Sequence, residues 1–180
     1  MPAADNARGG GARAATGGVF RAPIGTTLPT DTASALDAAF LARNIGFISD
    51  AGVIQTIGND TTDIRAWQGN TVVRTLVNNT KVTYRLEMLE TASVSLETYY
   101  GNFTGSAFEV TGEAGLRQSW VIQSEDEGNI IRIVIPDGQV TERGDTNYSS
   151  TDALRYPVTI TAYPDSSGVS AYGYVASEGS

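Results

Sequence analysis

Lys81-Val82-Thr83-Tyr84-Arg85-Leu86-Glu87-Met88 alternates without a break: Val82, Tyr84, Leu86 and Met88 fall on one side of an extended chain, and Thr83, Arg85 and Glu87 on the other. Successive side chains of a strand point to opposite faces, so this segment reads as an antiparallel strand, half buried, with one dry and one wet face. Working upstream, residues 53–57, 64–67 and 72–77 keep a period of two. They are interrupted at Gly58-Asn59-Asp60 and Gln68-Gly69-Asn70, and Asn78-Asn79 reads as a hairpin turn because Asn tolerates positive φ. Downstream, strands are expected at 107–110, 119–123, 130–135, 139–142 and 157–163. Glu125, Asp126 and Glu127 form an acidic hairpin tip before Gly128, and Pro136-Asp137-Gly138 is a turn. Many short strands with Gly, Pro and Asn between them predict a mainly β protein, a sandwich or barrel rather than a βαβ fold.

Two segments break the period. Asp31 or Thr32 caps a helix through Ala33, Leu36, Ala39, Phe40 and Arg43 that Gly46 stops, with Leu36 and Phe40 one turn apart. Residues 91–101 suit a strand through Val94, Leu96 and Thr98. They also suit a short helix, with Thr91 or Ser93 as cap, Glu97 inside and Gly101 as stop, and the helix is the reading taken. The expected organisation is a Gly/Ala-rich flexible arm over 1–18, a β body over 19–165 and a C-terminal arm over 166–180. In that last arm Tyr172 and Tyr174 alternate as if to join a neighbour's sheet.

Composition narrows function by exclusion. The chain has 180 residues, 41% hydrophobic and 18% charged, enough for one domain with a real core. It has no histidine and no cysteine, which removes the usual zinc sites, Ser-His-Asp and Cys-His nucleophiles and thiol chemistry. Net charge is −8. The first 25 residues carry Arg8, Arg13 and Arg21 against Asp5, or +2, so the remainder sums to −10. Affinity for nucleic acid comes largely from Lys and Arg displacing counterions, so a body this acidic is not expected to grip phosphate. No apolar run approaches the ~20 residues that cross a bilayer. No apolar stretch follows Arg8 and Arg13, so no secretory signal is expected.

Each chemistry-bearing cluster has a plainer reading that outweighs it. Glu87, Glu90 and Glu97 could be offered as glycosidase carboxylates, yet Glu87 lies on the wet face of its strand and solvated acids belong there. The acidic tip and Asp137 could attract calcium, but the alternating spacing of a dedicated loop is missing. Trp67, Trp120, Tyr99 and Tyr100 could line a sugar groove; at strand spacing, aromatics are more often core or interface. Gly112-x-x-Gly115 lacks the rest of a dinucleotide fingerprint. No catalytic constellation, metal or cofactor is expected.

Ala22-Pro23-Ile24-Gly25-Thr26-Thr27-Leu28-Pro29-Thr30, then Ala35-Leu36-x-x-Ala39-Phe40 and Gly46-Phe47-Ile48-Ser49-Asp50-Ala51-Gly52-Val53, resemble the opening of long-tailed phage tail tube proteins, especially those of actinobacterial phages. Ala66-Trp67-Gln68-Gly69, Val73-Arg74, Leu86-Glu87-Met88-Leu89-Glu90-Thr91 and Tyr99-Tyr100-Gly101 follow in an order similar to the family's. So do Ile135-Pro136-Asp137-Gly138 and Thr159-Ile160-Thr161-Ala162-Tyr163-Pro164-Asp165. The resemblance covers most of 19–165 and rests on the order of the blocks.

It implies a β-sandwich with a flanking helix, closing into hexameric rings that stack into a hollow tube. In that family paired hairpins from each subunit line the lumen as one β-barrel. The implied partners are further copies of the chain, a tape-measure protein in the lumen, and tail terminator and distal tail proteins at the tube ends. DNA passes without tight binding, no membrane is involved, and assembly takes place in the host cytoplasm. Within that frame residues 55–69, more apolar than a free loop requires, are the candidate inter-ring loop, with Ile57, Ile64, Arg65 and Trp67 as its contacts. Val94, Leu96, Tyr99 and Tyr100 are expected to pack the helix on the sandwich. A carbohydrate-binding sandwich and a bacterial secretion-tube subunit are the alternative readings.

Overall fold

The computed structural model describes residues 17–112, 114–126, 129–149 and 151–176. Most of the expected N-terminal arm (1–16), Glu127 of the acidic tip and the last four residues lie outside them. The elements are β1 (Gly18–Pro23), α1 (Ala38–Leu41), β2 (Ile54–Arg65), β3 (Val72–Met88), α2 (Ser93–Tyr100), β4 (Phe103–Thr104), β5 (Ala107–Phe108), β6 (Arg117–Asp126), β7 (Asn129–Arg143), β8 (Tyr156–Ala162) and β9 (Tyr172–Ala176). Seven strands form one antiparallel sheet in the order β1-β6-β7-β8-β3-β2, with β9 also on β7, while β4 and β5 make a separate small hairpin.

The mainly β class is as the period of two predicted, but the ladder does not close into a barrel: β1 and β2 end it. Residues 43–49 span the gap. Ile45 N donates to Val19 O (2.9 Å) and Arg21 N to Arg43 O (3.2 Å); at the other end Ser49 N donates to Glu87 O and Leu89 N to Phe47 O, both 2.9 Å. This strap turns at Gly46, whose φ of +82° suits glycine and where any Cβ would collide with the Glu90 carboxylate.

Val82, Tyr84, Leu86 and Met88 are all buried, as their alternation requires. They pack with Tyr156, Val158, Ile160 and Ala162 of β8, Trp120 and Ile122 of β6, and Leu96 of α2. On the opposite face of β1, β6 and β7 a second cluster of Phe20, Ala22, Val121 and Val134 is covered by Phe40 of α1 and by Tyr172 and Tyr174 of β9. Strands buried on both faces lose the simple alternation, which is why β1 reads as an unbroken buried run from Val19 to Ala22.

Several local expectations are corrected. Asn78-Asn79 is not a turn: Asn79 pairs with Asp60 and Val77 with Thr61, so Asn78 is the extra residue of a bulge inside a continuous β3. The chain reverses instead at 66–71, where Ala66 N donates to Thr71 O (2.8 Å) and Gly69 and Asn70 take φ of +75° and +54°. Pro136-Asp137-Gly138 is likewise a bulge within β7, not a turn. A proline without an N–H fits an irregular point of a ladder, and the bare Gly138 backbone leaves room for the Trp120 ring, 2.8 Å from where a Cβ would stand.

The N-terminal helix shrinks to the four residues of α1, capped by Asp37, whose Oδ1 accepts from Ala39 N (2.9 Å). Asp31 does accept from Ala33 N (2.8 Å), but no helix follows. Arg132, buried in β7, takes the Asp31 and Ser34 carbonyls at 2.8 and 2.7 Å, the acceptors a helix would need. In the α2 region the helix and its stop are as expected: Gly101 has φ of +83° and donates to Glu97 O (2.8 Å). Its N-cap is Ala92, with no side-chain bond, rather than Thr91 or Ser93. Tyr172–Ala176 pair with Ile130–Val134 of β7, so this part of the tail joins the chain's own sheet.

Candidate assembly surface

The segment expected as an inter-ring loop is mostly strand. β3 pairs with β8 only from Val82 to Met88. Below Val82 its sole partner is β2, and β2 has no neighbour on its other side among the described residues. Residues 58–81 therefore leave the body as a two-stranded ribbon of eight residue pairs, roughly 26 Å long. All twelve residues of β2 are exposed. Paired residues share a face, and two cross-strand bonds stiffen one of them: Thr75 Oγ1 to Asp63 Oδ1 (2.7 Å) and Thr80 Oγ1 to Asn59 Oδ1 (2.9 Å).

The ribbon is apolar for something so exposed. Ile57 at its base and Ile64, Val72, Val73 and Val77 along it all face solvent, and Trp67 at the reversal is 97% accessible. Arg65 Nη1 reaches Asn70 O at 3.4 Å, across the same reversal. Isolated two-stranded hairpins are marginal in water, and contiguous exposed apolar surface marks interaction sites. Val72, Val73 and Val77, which add three apolar side chains to this surface, were read in the sequence as strand but not as contacts, because a period of two does not say which face is left uncovered.

The expected helix-packing residues divide. Leu96 is buried in the main core, and Val94, Tyr99 and Tyr100 are partly buried against it. Tyr99 Oη donates to Gly144 O (2.6 Å), and its ring stands edge-on to Tyr100 and Tyr156 at 4.9 and 5.4 Å. Tyr100 stacks on Phe108 of β5 at 3.9 Å, and its hydroxyl hydrogen-bonds Tyr148. Burial, then the Tyr148 bond, pushes the Tyr100 phenol above its ordinary range. Tyr99, Tyr100, Val110, Arg143, Thr146 and Tyr148 help line a cavity of about 600 Å³. The Thr146 hydroxyl in that lining is buried with no hydrogen-bond partner.

Behind α2 lies a buried ionic link that no sequence motif announced. Arg21 of β1 donates to Glu97 Oε2 (2.6 Å), Gln118 Oε1 (2.9 Å) and Val94 O (3.3 Å). Burial lowers the Arg21 pKa, opposed by the hydrogen bond and charge of Glu97. A second buried guanidinium, Arg132, donates to Gln123 Oε1 at 2.8 Å. All three nitrogens of Arg132 are hydrogen-bonded, whereas Arg21 Nε is buried without a partner, so the Arg21 cation leans on its two terminal nitrogens and on the Glu97 charge.

The other candidate clusters come apart. Trp120 is 1% exposed in the core, with Nε1 donating to Gly138 O (3.3 Å), while Trp67 stands at the ribbon tip and Tyr99 and Tyr100 on α2. The four aromatics thus share no sugar groove. Glu87 is engaged by Arg85 and Arg155 at 3.8 and 3.5 Å, Glu97 by Arg21, and Glu90 packs at Gly46. Asp137 is paired with Arg117, whose Nε donates at 2.8 Å. Glu125 and Asp126 end β6 at the β6–β7 reversal, with Glu127 outside the described residues. Among the described residues no group of three acids could hold a metal ion, and no helix is long and apolar enough to cross a membrane.

Comparison with known proteins gives one family match: the family described as phage tail tube protein covers residues 6–178. No curated protein matches. Among solved structures the chain is similar to the cryo-EM structure of the anti-feeding prophage cap (AFP tube terminating cap), with 11% identity and a TM-score of 0.42, over 82% of this chain and all of that one.

Proposed function

The chain belongs to the phage tail tube protein family, structural components of the phage tail, and from that premise we propose that its copies close into hexameric rings that stack into a hollow tube. The tube encloses a tape-measure protein during assembly in the host cytoplasm and later conducts DNA into the host. Terminator and distal tail proteins cover its two ends, and the host phage is of the long-tailed, actinobacterial kind. No bond is made or broken in this role.

The observation that carries the reading is the β2–β3 ribbon. Among the described residues no further strand lies beside β2 on its outer side, and the ribbon and its base expose five aliphatic side chains and Trp67. A monomer with such an edge is a template for strand addition, and closure into a ring removes the edge. The net charge of −10 outside the first 25 residues supports a wall that lets a polyanion slide past.

Ile57, Ile64, Arg65 and Trp67 are the proposed inter-ring contacts, with α2 and its tyrosines fixing the wall beside them. Negative-stain electron microscopy of the purified chain at high concentration is expected to show hollow rings or tubes of one diameter. Trp67→Ala is expected to leave a folded monomer that does not grow tubes. Normal-length tubes from that variant would defeat the contact assignment, and glycan affinity in an isolated monomer would favour a carbohydrate-binding module.

A further inference from the structure

We propose that the aromatic cavity beside α2 is the socket for Trp67 of a second copy of this chain, so that copies associate head to tail through it. The inference rests on the self-assembly reading and adds the acceptor site and the direction of the contact.

Plug and socket cannot meet within one chain. Trp67 lies beyond the Val72 end of β3, while the cavity lies at the Met88 end. Tyr156, which pairs with Met88, carries the Tyr99 ring on its own, and Gly144 N donates to Pro157 O (2.8 Å), opposite Glu87. The seventeen residues of β3 separate the two by roughly 50 Å. A surface complementary to a different surface on an identical copy makes a heterologous contact, which repeats without closing unless a rotation closes it. That is the symmetry a stack needs.

The chemistry of the two sites fits as well. A cavity of about 600 Å³ walled by Tyr99, Tyr100, Tyr148 and Val110 suits an indole ring. Arg143, held by the Tyr99 carbonyl, offers a guanidinium to the ring face.

The absence of cysteine from the sequence makes the contact trappable. Gln68→Cys, beside the retained Trp67, is mixed with Thr111→Cys in the cavity wall under mild oxidation, with Val175→Cys on β9 as the control partner. The Gln68→Cys/Thr111→Cys mixture is expected to give a disulfide-linked heterodimer at least tenfold above the control. Adding Trp67→Ala to the Gln68→Cys chain is expected to lower its trapping rate by about thirtyfold, as befits a central anchor. Folded variants, checked by circular dichroism, that trap no faster than the control overturn the socket. If electron microscopy still shows tubes, the assembly reading survives that failure. Trapping without tubes keeps the socket and removes the tube.

Discussion

Removing Glu97 should expose how the Arg21 cation is tolerated inside the sheet. In Glu97→Ala the guanidinium, 2% exposed, loses its countercharge and its shortest hydrogen bond (2.6 Å), keeping only Gln118 and Val94 O. Breaking a fully buried pair from one side costs about 3–5 kcal/mol, and a surface pair about 0–1. Glu97 is 36% exposed, so water already screens part of the pair, and we expect about 2–3 kcal/mol between those limits. For a chain of this size that lowers Tm by about 4–12 °C. Arg21→Met should cost less, about 1 kcal/mol, because Glu97 can turn to solvent and only Gln118 is left short of a donor. The double variant removes the buried charge altogether and should be more stable than Glu97→Ala alone, a coupling of about 1 kcal/mol or more. Urea unfolding followed by fluorescence of the buried Trp120 measures all three. Additive losses, or a Glu97→Ala cost under about 0.5 kcal/mol, would refute the argument.

The two tryptophans should differ sharply. Trp67→Ala, which removes almost no buried surface, should change monomer stability by less than about 0.5 kcal/mol, whereas Trp120→Ala should cost about 3–5 kcal/mol, both read by denaturant titration. Gly138→Ala places a methyl 2.8 Å from Trp120 Cδ1 and 3.1 Å from Ile160 Cγ2; the expected loss is about 1–3 kcal/mol, and an unchanged Tm would argue against close packing there. Asp165 has its pKa lowered first by the Tyr172 hydroxyl, which donates to Oδ2 at 2.7 Å, and then by Val169 N–H. A depressed carboxyl contributes stability above its unfolded value of about 3.9, lost as pH falls through the folded one. Amide protection of Tyr172–Ala176 should therefore hold from neutrality to about pH 5 and fall below about pH 4. Tyr172→Phe should shrink that step, leaving the part due to the Val169 and Ser167 N–H groups, and an identical profile in the variant would sink the assignment.

Local features of the chain were readable wherever a single physical constraint acted on neighbours. Val82 to Met88 declared their buried face because a half-buried strand must alternate. Gly101 declared the end of α2 because a left-handed residue there favours glycine. Asn78-Asn79 and Pro136-Asp137-Gly138 misled for the same reason in reverse: residues that permit a turn also permit a bulge, and only the partner strand chooses between them. Of the candidate contacts, Trp67 and its apolar neighbours stood out as unusual for a loop. The cavity did not, since Tyr99, Val110 and Tyr148 come from separate segments that only the fold brings together.

By itself the sequence determined the β class, the dry face of β3, the glycine stop of α2 and, through the missing histidine and cysteine, the His- and Cys-based chemistries closed to it. All of these follow from composition or from interactions a few residues long. Tertiary structure decided the rest. Arg132 drew off the carbonyls that would have extended α1, and Arg21 found Glu97 76 positions away. Residues 43–49 spanned a ladder that does not close, and β2 was left as the last strand of the sheet order, with Trp67 at the reversal that follows it. Those outcomes depend on which strands meet, and pairing energy between distant segments leaves no mark on either segment alone.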